Sequence, residues 1–116
     1  MDDDDPVVSN PDHYALLWEN DRVRVLEYRD APGDETTPHH HPDSVMVTLT
    51  SFSRRLDAGG RSRDVTLAAE QAVWLPEQSH TGRNTGDSPT HTIIVELKES
   101  SPHPQADGDA LGPEHT

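Results

Sequence analysis

The chain has 116 residues, 22 acidic against 9 basic, a formal net charge of -13, no cysteine and only 30% hydrophobic residues. That length gives room for one hydrophobic core, and the charge sets the chain against phosphate backbones and anionic lipid surfaces, so neither nucleic acid nor a membrane is expected as a partner. Without cysteine there is no disulfide, thiolate ligand or thiol nucleophile, so any metal must be held by His, Asp or Glu.

Residues 1–13 hold five acids and no base and read as an acidic tail. The opening MDDDDP is the reverse of a cationic, apolar leader, and no apolar run approaches the ~20 residues that span a bilayer, so a cytoplasmic protein is expected. Of the 21 Leu, Ile, Val and Phe residues, 18 fall within 14–97, which places one folded domain over 14–98. Tyr14 to Tyr28 carries two apolar runs around Glu19-Asn20-Asp21, predicting two strands joined by a polar turn. Arg22 and Arg24 alternate with valines and fall on a solvated or subunit-facing strip, an inward grip on a substrate carboxylate being the other reading. Asp30 to Asp34 punctuates as a loop.

Ser44 to Thr50 alternates as a strand with Val45, Val47 and Leu49 on one face. Arg54 to Leu56 is a weak strand, Asp57-Ala58-Gly59-Gly60 a turn, and Arg63 to Ala68 another short strand. Gln71 to Leu75 is a strand stopped by Pro76, which cannot donate to a ladder. A loop with His80 and a turn at Asn84-Thr85-Gly86-Asp87 precede a last strand, Thr92 to Leu97. Residues 99–116, with three prolines, two glycines and few apolar side chains, read as a flexible tail. No window carries a helical period, so the fold class is all-β, a small barrel or sandwich.

The sharpest local feature is Pro38-His39-His40-His41-Pro42. In an extended segment His39 and His41 point to one face with α-carbons about 6.6 Å apart, and His40 to the other. Two imidazoles at that spacing can converge on one divalent ion, and His80 is the candidate for a third ligand from a distant strand. On spacing alone the run is equally a solvated loop feature. His13, His91, His103 and His115 read as satisfied or exposed histidines.

Gly33-x5-His39-x-His41, followed by Pro76-x3-His80-x3-Asn84, resembles the two motifs of the cupin superfamily in order and approximate separation. The segments ENDRVRVLEY, HxHPDS, VWLPEQSH and IIVELK are similar to those of compact single-domain bacterial cupins associated with β-alanine degradation, and small polyketide-cyclase-type cupins are also similar. The resemblance implies a double-stranded β-helix, or jelly-roll, barrel with His39, His41 and His80 as ligands of a divalent transition metal, whether Fe, Mn, Ni or Zn. The family's usual glutamate ligand is missing, with Val45 and Met46 in its place. Asp34, Glu35, Asp43 and His91 are the residues that could supply a fourth group. Glu70 and Gln78 replace two glycines of the second motif, changes expected to alter loop shape more than chemistry. Met46 and Trp74 are candidate pocket walls, with ordinary core packing as the other reading.

Cupins include dioxygenases, isomerases, cyclases and ligand-binding proteins, so the family does not fix the reaction. The leading expectation is a metal-dependent enzyme on a small organic substrate, leaning to dioxygenase chemistry. Without cysteine, the cysteine–tyrosine crosslink of some thiol dioxygenases cannot form. A non-redox cyclase or isomerase is the first alternative and a non-catalytic binding or sensing barrel the second. No catalytic residue is identifiable beyond the metal ligands. Exposed edge strands lead to the expectation of a homodimer.

Overall fold

Short β-branched runs broken by Pro, Gly and Asp favour many brief strands over helices. In the computed structural model, which describes residues 4–99 and 110–114, the described residues form nine strands and one short helix. They run as α1 (Pro6–Ser9), β1 (Tyr14–Glu19), β2 (Val23–Asp30), β3 (His39–His41), β4 (Ser44–Thr48), β5 (Phe52–Ala58), β6 (Arg61–Leu67), β7 (Ala72–Leu75), β8 (Gln78–Asn84) and β9 (Thr90–Leu97). A five-stranded sheet has the order β1-β2-β9-β4-β7 and a four-stranded sheet the order β3-β8-β5-β6. All pairings are antiparallel. The sheets enclose two apolar clusters, Tyr14, Leu26, Tyr28 and Ile94 with Val7 and Met46 against them, and Leu56, Val65 and Leu111.

Val45, Val47 and Leu49 share one face, as expected, and it is the outer face of β4. Ser44 and Thr48 are fully buried whereas Leu49 is exposed, because register places Ser44, Met46 and Thr48 opposite Glu96, Ile94 and Thr92 on the inner face of β9. Backbone bonds make this burial tolerable: the Thr48 hydroxyl donates to the Ala68 carbonyl at 2.7 Å and accepts from the Gln71 amide at 2.9 Å. The outer face carries the apolar residues instead. Trp18, Val25, Val95, Val45 and Trp74 are successive cross-strand partners and form one row across the five-stranded sheet.

Residues 78–84, expected as loop and turn, form β8, hydrogen-bonded to β3 on one side and β5 on the other. Its buried positions are Gln78, His80, Gly82 and Asn84, a period of two written in polar residues and glycine, which hydrophobic patterning does not see. Glu70, where the family pattern has glycine, holds the left-handed φ of 64° that glycine would adopt.

Both segments read as tails contain parts that pack on the barrel. Asp5 caps α1 by accepting from the Val7 amide at 3.0 Å and pairs with Arg24 at 2.7 Å. Asp4 accepts from the His40 amide through its carbonyl. At the other end, Leu111 enters the second apolar cluster, and Arg63 donates to the carbonyls of Leu111 and Pro113 at 2.7 and 2.8 Å. The expected flexibility of residues 100–109 and 115–116 falls outside the described residues.

Candidate metal centre

The β3–β8 ladder sets His39 opposite His80 and His41 opposite Gln78. Successive strand residues point to opposite faces, so His39 and His41 enter the barrel while His40 turns outward to Ser79 and Glu77. The three inward rings are buried, with centroids 4.9 Å (His39 to His41), 4.8 Å (His39 to His80) and 5.4 Å (His41 to His80) apart. One nitrogen from each lies within 4.8 Å of the other two, so some point is within roughly 2.8 Å of all three by geometry, against about 2.0–2.1 Å for zinc–imidazole bonds. Small ring movements close that difference.

Each ring is fixed from behind through Nδ1. His39 Nδ1 bonds the Thr37 carbonyl at 2.8 Å, His41 Nδ1 the Glu96 carboxylate at 3.1 Å, and His80 Nδ1 the Gln78 amide oxygen at 2.8 Å. All three partners are acceptors, so each Nδ1 carries a hydrogen, and in the neutral form of each ring Nε2 keeps its lone pair. Burial, reinforced by neighbouring His41, pushes the His39 imidazolium down to about 3 and that of His80 well below its ordinary value. Their rings are neutral donors at neutral pH. The Tyr14 hydroxyl lies 3.3 Å from His39 Nε2 and 3.2 Å from His41 Nε2, and a phenol has one proton for two lone pairs. A cation would satisfy this excess of acceptors, and the donor set fits a divalent transition metal.

Two of the orienting residues were not visible as such in the sequence. Glu96 is buried and also accepts from Arg24 at 2.9 Å, and Arg24 in turn grips Asp5. Arg24 is therefore turned inward and paired, correcting its placement on a solvated strip, while Arg22 stays exposed. Gln78, expected to affect loop shape, instead joins three elements: its amide oxygen accepts from His80 and from the Gly112 amide at 2.6 Å, while its nitrogen donates to the Pro76 and Gly112 carbonyls.

Above the histidines lies a small cavity of ≈ 50 Å³ whose wall includes Tyr14, Met46, Phe52, Arg54, Thr92 and Pro113. Met46 thus reaches it. Trp74 does not, because buried Val73 and Leu75 take the inner positions of β7 and leave Trp74 half-buried on the outer row. The other candidate fourth groups are engaged elsewhere. Asp34 accepts from Ala31, Asp43 from Glu77, Glu35 pairs with Arg83 and His91 with Glu27. Of the remaining histidines, His13 bonds the Arg29 carbonyl, and His103 and His115 lie outside the described residues.

Beside the cavity, Arg54 pairs with Asp30 at 2.9 Å, and Asp30 also accepts from Tyr28, Asn84 and the Thr90 amide. Burial alone would raise the Asp30 carboxyl, but hydrogen bonds from Tyr28, Arg54 and Asn84 outweigh it and hold the group below the usual carboxylate range. Alternation could have found some of these residues: Arg54 stands between buried Phe52 and Leu56, and Glu96 extends the inward series Thr90, Thr92, Ile94. Nothing in the spacing of the histidine motifs points to Tyr14.

No protein-family model and no curated protein matches this chain. Solved structures do. A cupin superfamily protein from Desulfitobacterium hafniense is 16% identical, with 74% of this chain and 76% of that chain covered and a TM-score of 0.55. The polyketide cyclase RemF from Streptomyces resistomycificus is 22% identical, with 77% and 66% covered and a TM-score of 0.53. Both show likeness of fold. A cupin domain from Bordetella pertussis is 30% identical, with 74% of this chain and 92% of that chain covered and a TM-score of 0.69. Sequence identity and near-complete coverage of that domain join the topology in one conclusion: the chain belongs to the cupin superfamily as a small, all-β member.

Proposed function

We propose that this chain is a metal-dependent enzyme in which His39, His41 and His80 hold a divalent transition ion and a small organic substrate is oxidised by dioxygen. The observation that carries the reading is the convergence of one nitrogen from each of three buried imidazoles, with each ring's Nδ1 bonded to an acceptor. A bound iron or similar ion supplies Lewis acidity and redox exchange with dioxygen. The protein supplies the rest. Phe52, Leu56, Val65 and Ile94 exclude water from the cavity. The Thr92 hydroxyl, buried on the same wall without a hydrogen-bond partner among the described residues, is available to orient a polar group of the substrate. A cavity of ≈ 50 Å³ suits a molecule of a few heavy atoms.

The test is metal analysis of protein purified without an affinity tag, followed by dioxygen uptake against diketones, thiols and phenolic compounds. Retained transition metal, and uptake that disappears in His80→Ala, is the expected result. Ligand binding without product across the panel would favour a binding or sensing barrel. The likeness to RemF favours a second reading, a non-redox cyclase, whose substrate would need a larger cavity than ≈ 50 Å³. Product formed without dioxygen consumption identifies that case.

The same reading includes a homodimer. Trp18 is exposed, Val45, Val95 and Trp74 of the same outer row are half-buried, and Leu16 and Leu17 lie exposed beside Trp18 on the edge strand β1. Apolar surface of this extent is characteristic of subunit contacts. Sedimentation of the wild type and of Trp18→Asp tests it, with a shift to monomer expected in the variant.

A further inference from the structure

We propose that the phenol oxygen of Tyr14 is a fourth donor to the metal, an inference that rests on the three-histidine reading above. Two donors each about 2.0–2.1 Å from one tetrahedral ion are themselves roughly 3.3 Å apart. The Tyr14 oxygen stands 3.3 Å from His39 Nε2 and 3.2 Å from His41 Nε2. It already holds ligand-to-ligand spacing to two of the three histidines.

Hydrogen bonding alone accounts poorly for this arrangement. Each Nδ1 is committed as a donor, so with both rings neutral, the form that binds a metal, both Nε2 atoms are acceptors and the single phenolic proton can serve only one. The other contact then brings two lone pairs together in a buried site, which is costly without a cation between them. The hydroxyl has no further hydrogen-bond partner among the described residues.

Its position is also well held. Tyr14 opens β1 opposite Tyr28, the two rings pack with centroids 4.6 Å apart, and the Tyr14 amide is tied to the Asn10 carbonyl at 2.9 Å. The five-stranded sheet thus presents one oxygen to two ring nitrogens of the opposing sheet, those of His39 and His41. That oxygen supplies what β4 lacks: Val45 faces outward, and Met46 brings a thioether where the family pattern has a carboxylate. Burial holds the Tyr14 phenol well above its ordinary range in the metal-free chain, so the phenolate would form only against a bound cation, with its proton released to solvent, and it would contribute the single negative charge the glutamate would have carried.

Copper(II) added stoichiometrically to the untagged full chain tests this. The expected result is a visible phenolate-to-copper charge-transfer band with tyrosinate modes in its resonance Raman spectrum. The chain has two tyrosines, and the Tyr28 hydroxyl is already engaged by Asp30 and Arg54. Tyr28→Phe should keep the band and Tyr14→Phe should lose it while still binding copper. Copper bound without the band, or a band that survives in Tyr14→Phe, overturns the Tyr14 assignment and leaves the histidine site standing. Failure of the wild type to retain copper overturns both. Should Tyr14→Phe not fold, the wild-type Raman spectrum decides alone.

Discussion

At the scale of single residues, the proposed metal centre would depend on groups outside its donor set. Glu96 fixes the His41 tautomer through Nδ1, and outer-shell partners of this kind typically change metal affinity by about 10–100-fold when removed. Glu96→Gln is accordingly expected to weaken zinc binding by that order in chelator competition while leaving the circular dichroism spectrum unchanged; equal affinity would show that His41 needs no such support. Asp30 carries a different kind of constraint. Its folded-state carboxyl titrates below the unfolded value of about 3.9. Above that pH both states are ionised and its contribution to stability is complete; as pH falls below it the unfolded chain takes up the proton first, and the contribution is lost down through the folded pKa. Asp30→Asn should flatten the decline in stability below about pH 4. At neutral pH it should cost roughly 3–5 kcal/mol in urea denaturation, because buried Arg54 keeps its charge without its partner.

At the scale of elements, the segment 110–114 behaves as part of the barrel wall. Leu111 closes over Leu56 and Val65, Gly112 is bonded twice to Gln78, and the Glu114 amide donates to the Trp74 carbonyl at 2.9 Å. Ending the chain after Asp109 is expected to uncover Leu56 and Val65, raising the fluorescence of a hydrophobic dye and lowering stability by about 2–3 kcal/mol, the scale of one buried leucine. Unchanged dye binding would mean the segment adds nothing to the wall. Such docking was illegible in the sequence because Leu111 is one apolar residue among prolines, glycines and acids, a composition that ordinarily fails to offset ordering entropy. What supports it is the barrel: Arg63 and Gln78 satisfy backbone groups the segment could not satisfy alone. The same logic divides the rest of the fold. β2, β7 and β9 were legible because valine, isoleucine and leucine mark them, and β1 because an apolar run precedes the polar turn at Glu19-Asn20-Asp21. β8 was hidden because its inner residues are polar, and for β4 alternation gave the period without saying which side is inside. His39, His41 and His80 could be read from motif spacing; Tyr14, Gln78 and Glu96 could not, since their roles arise only when the two sheets and the terminal segments close together.

For the whole molecule, a metal bound only by the folded state must stabilise it. His39 and His41 lie close in sequence, but His80 joins them only through the β3–β8 ladder, so unfolding disperses the donor set. At a free metal concentration 100 times the dissociation constant the gain is about 2.7 kcal/mol, which for a domain near this size shifts the melting temperature by roughly 10–20 °C. A net charge of -13 introduces a competing effect, because any divalent cation relieves self-repulsion among the carboxylates and raises stability somewhat without a specific site. Ligand chemistry separates the two: imidazole nitrogens favour zinc, iron or nickel over magnesium, whereas screening does not. Thermal melts should therefore show a large rise with zinc that chelation reverses, a small one with magnesium at the same concentration, and a response of His80→Ala to zinc no larger than that to magnesium. Equal shifts with both ions in the wild type would mean that the cations act on the surface charge alone and that the buried histidines hold no metal.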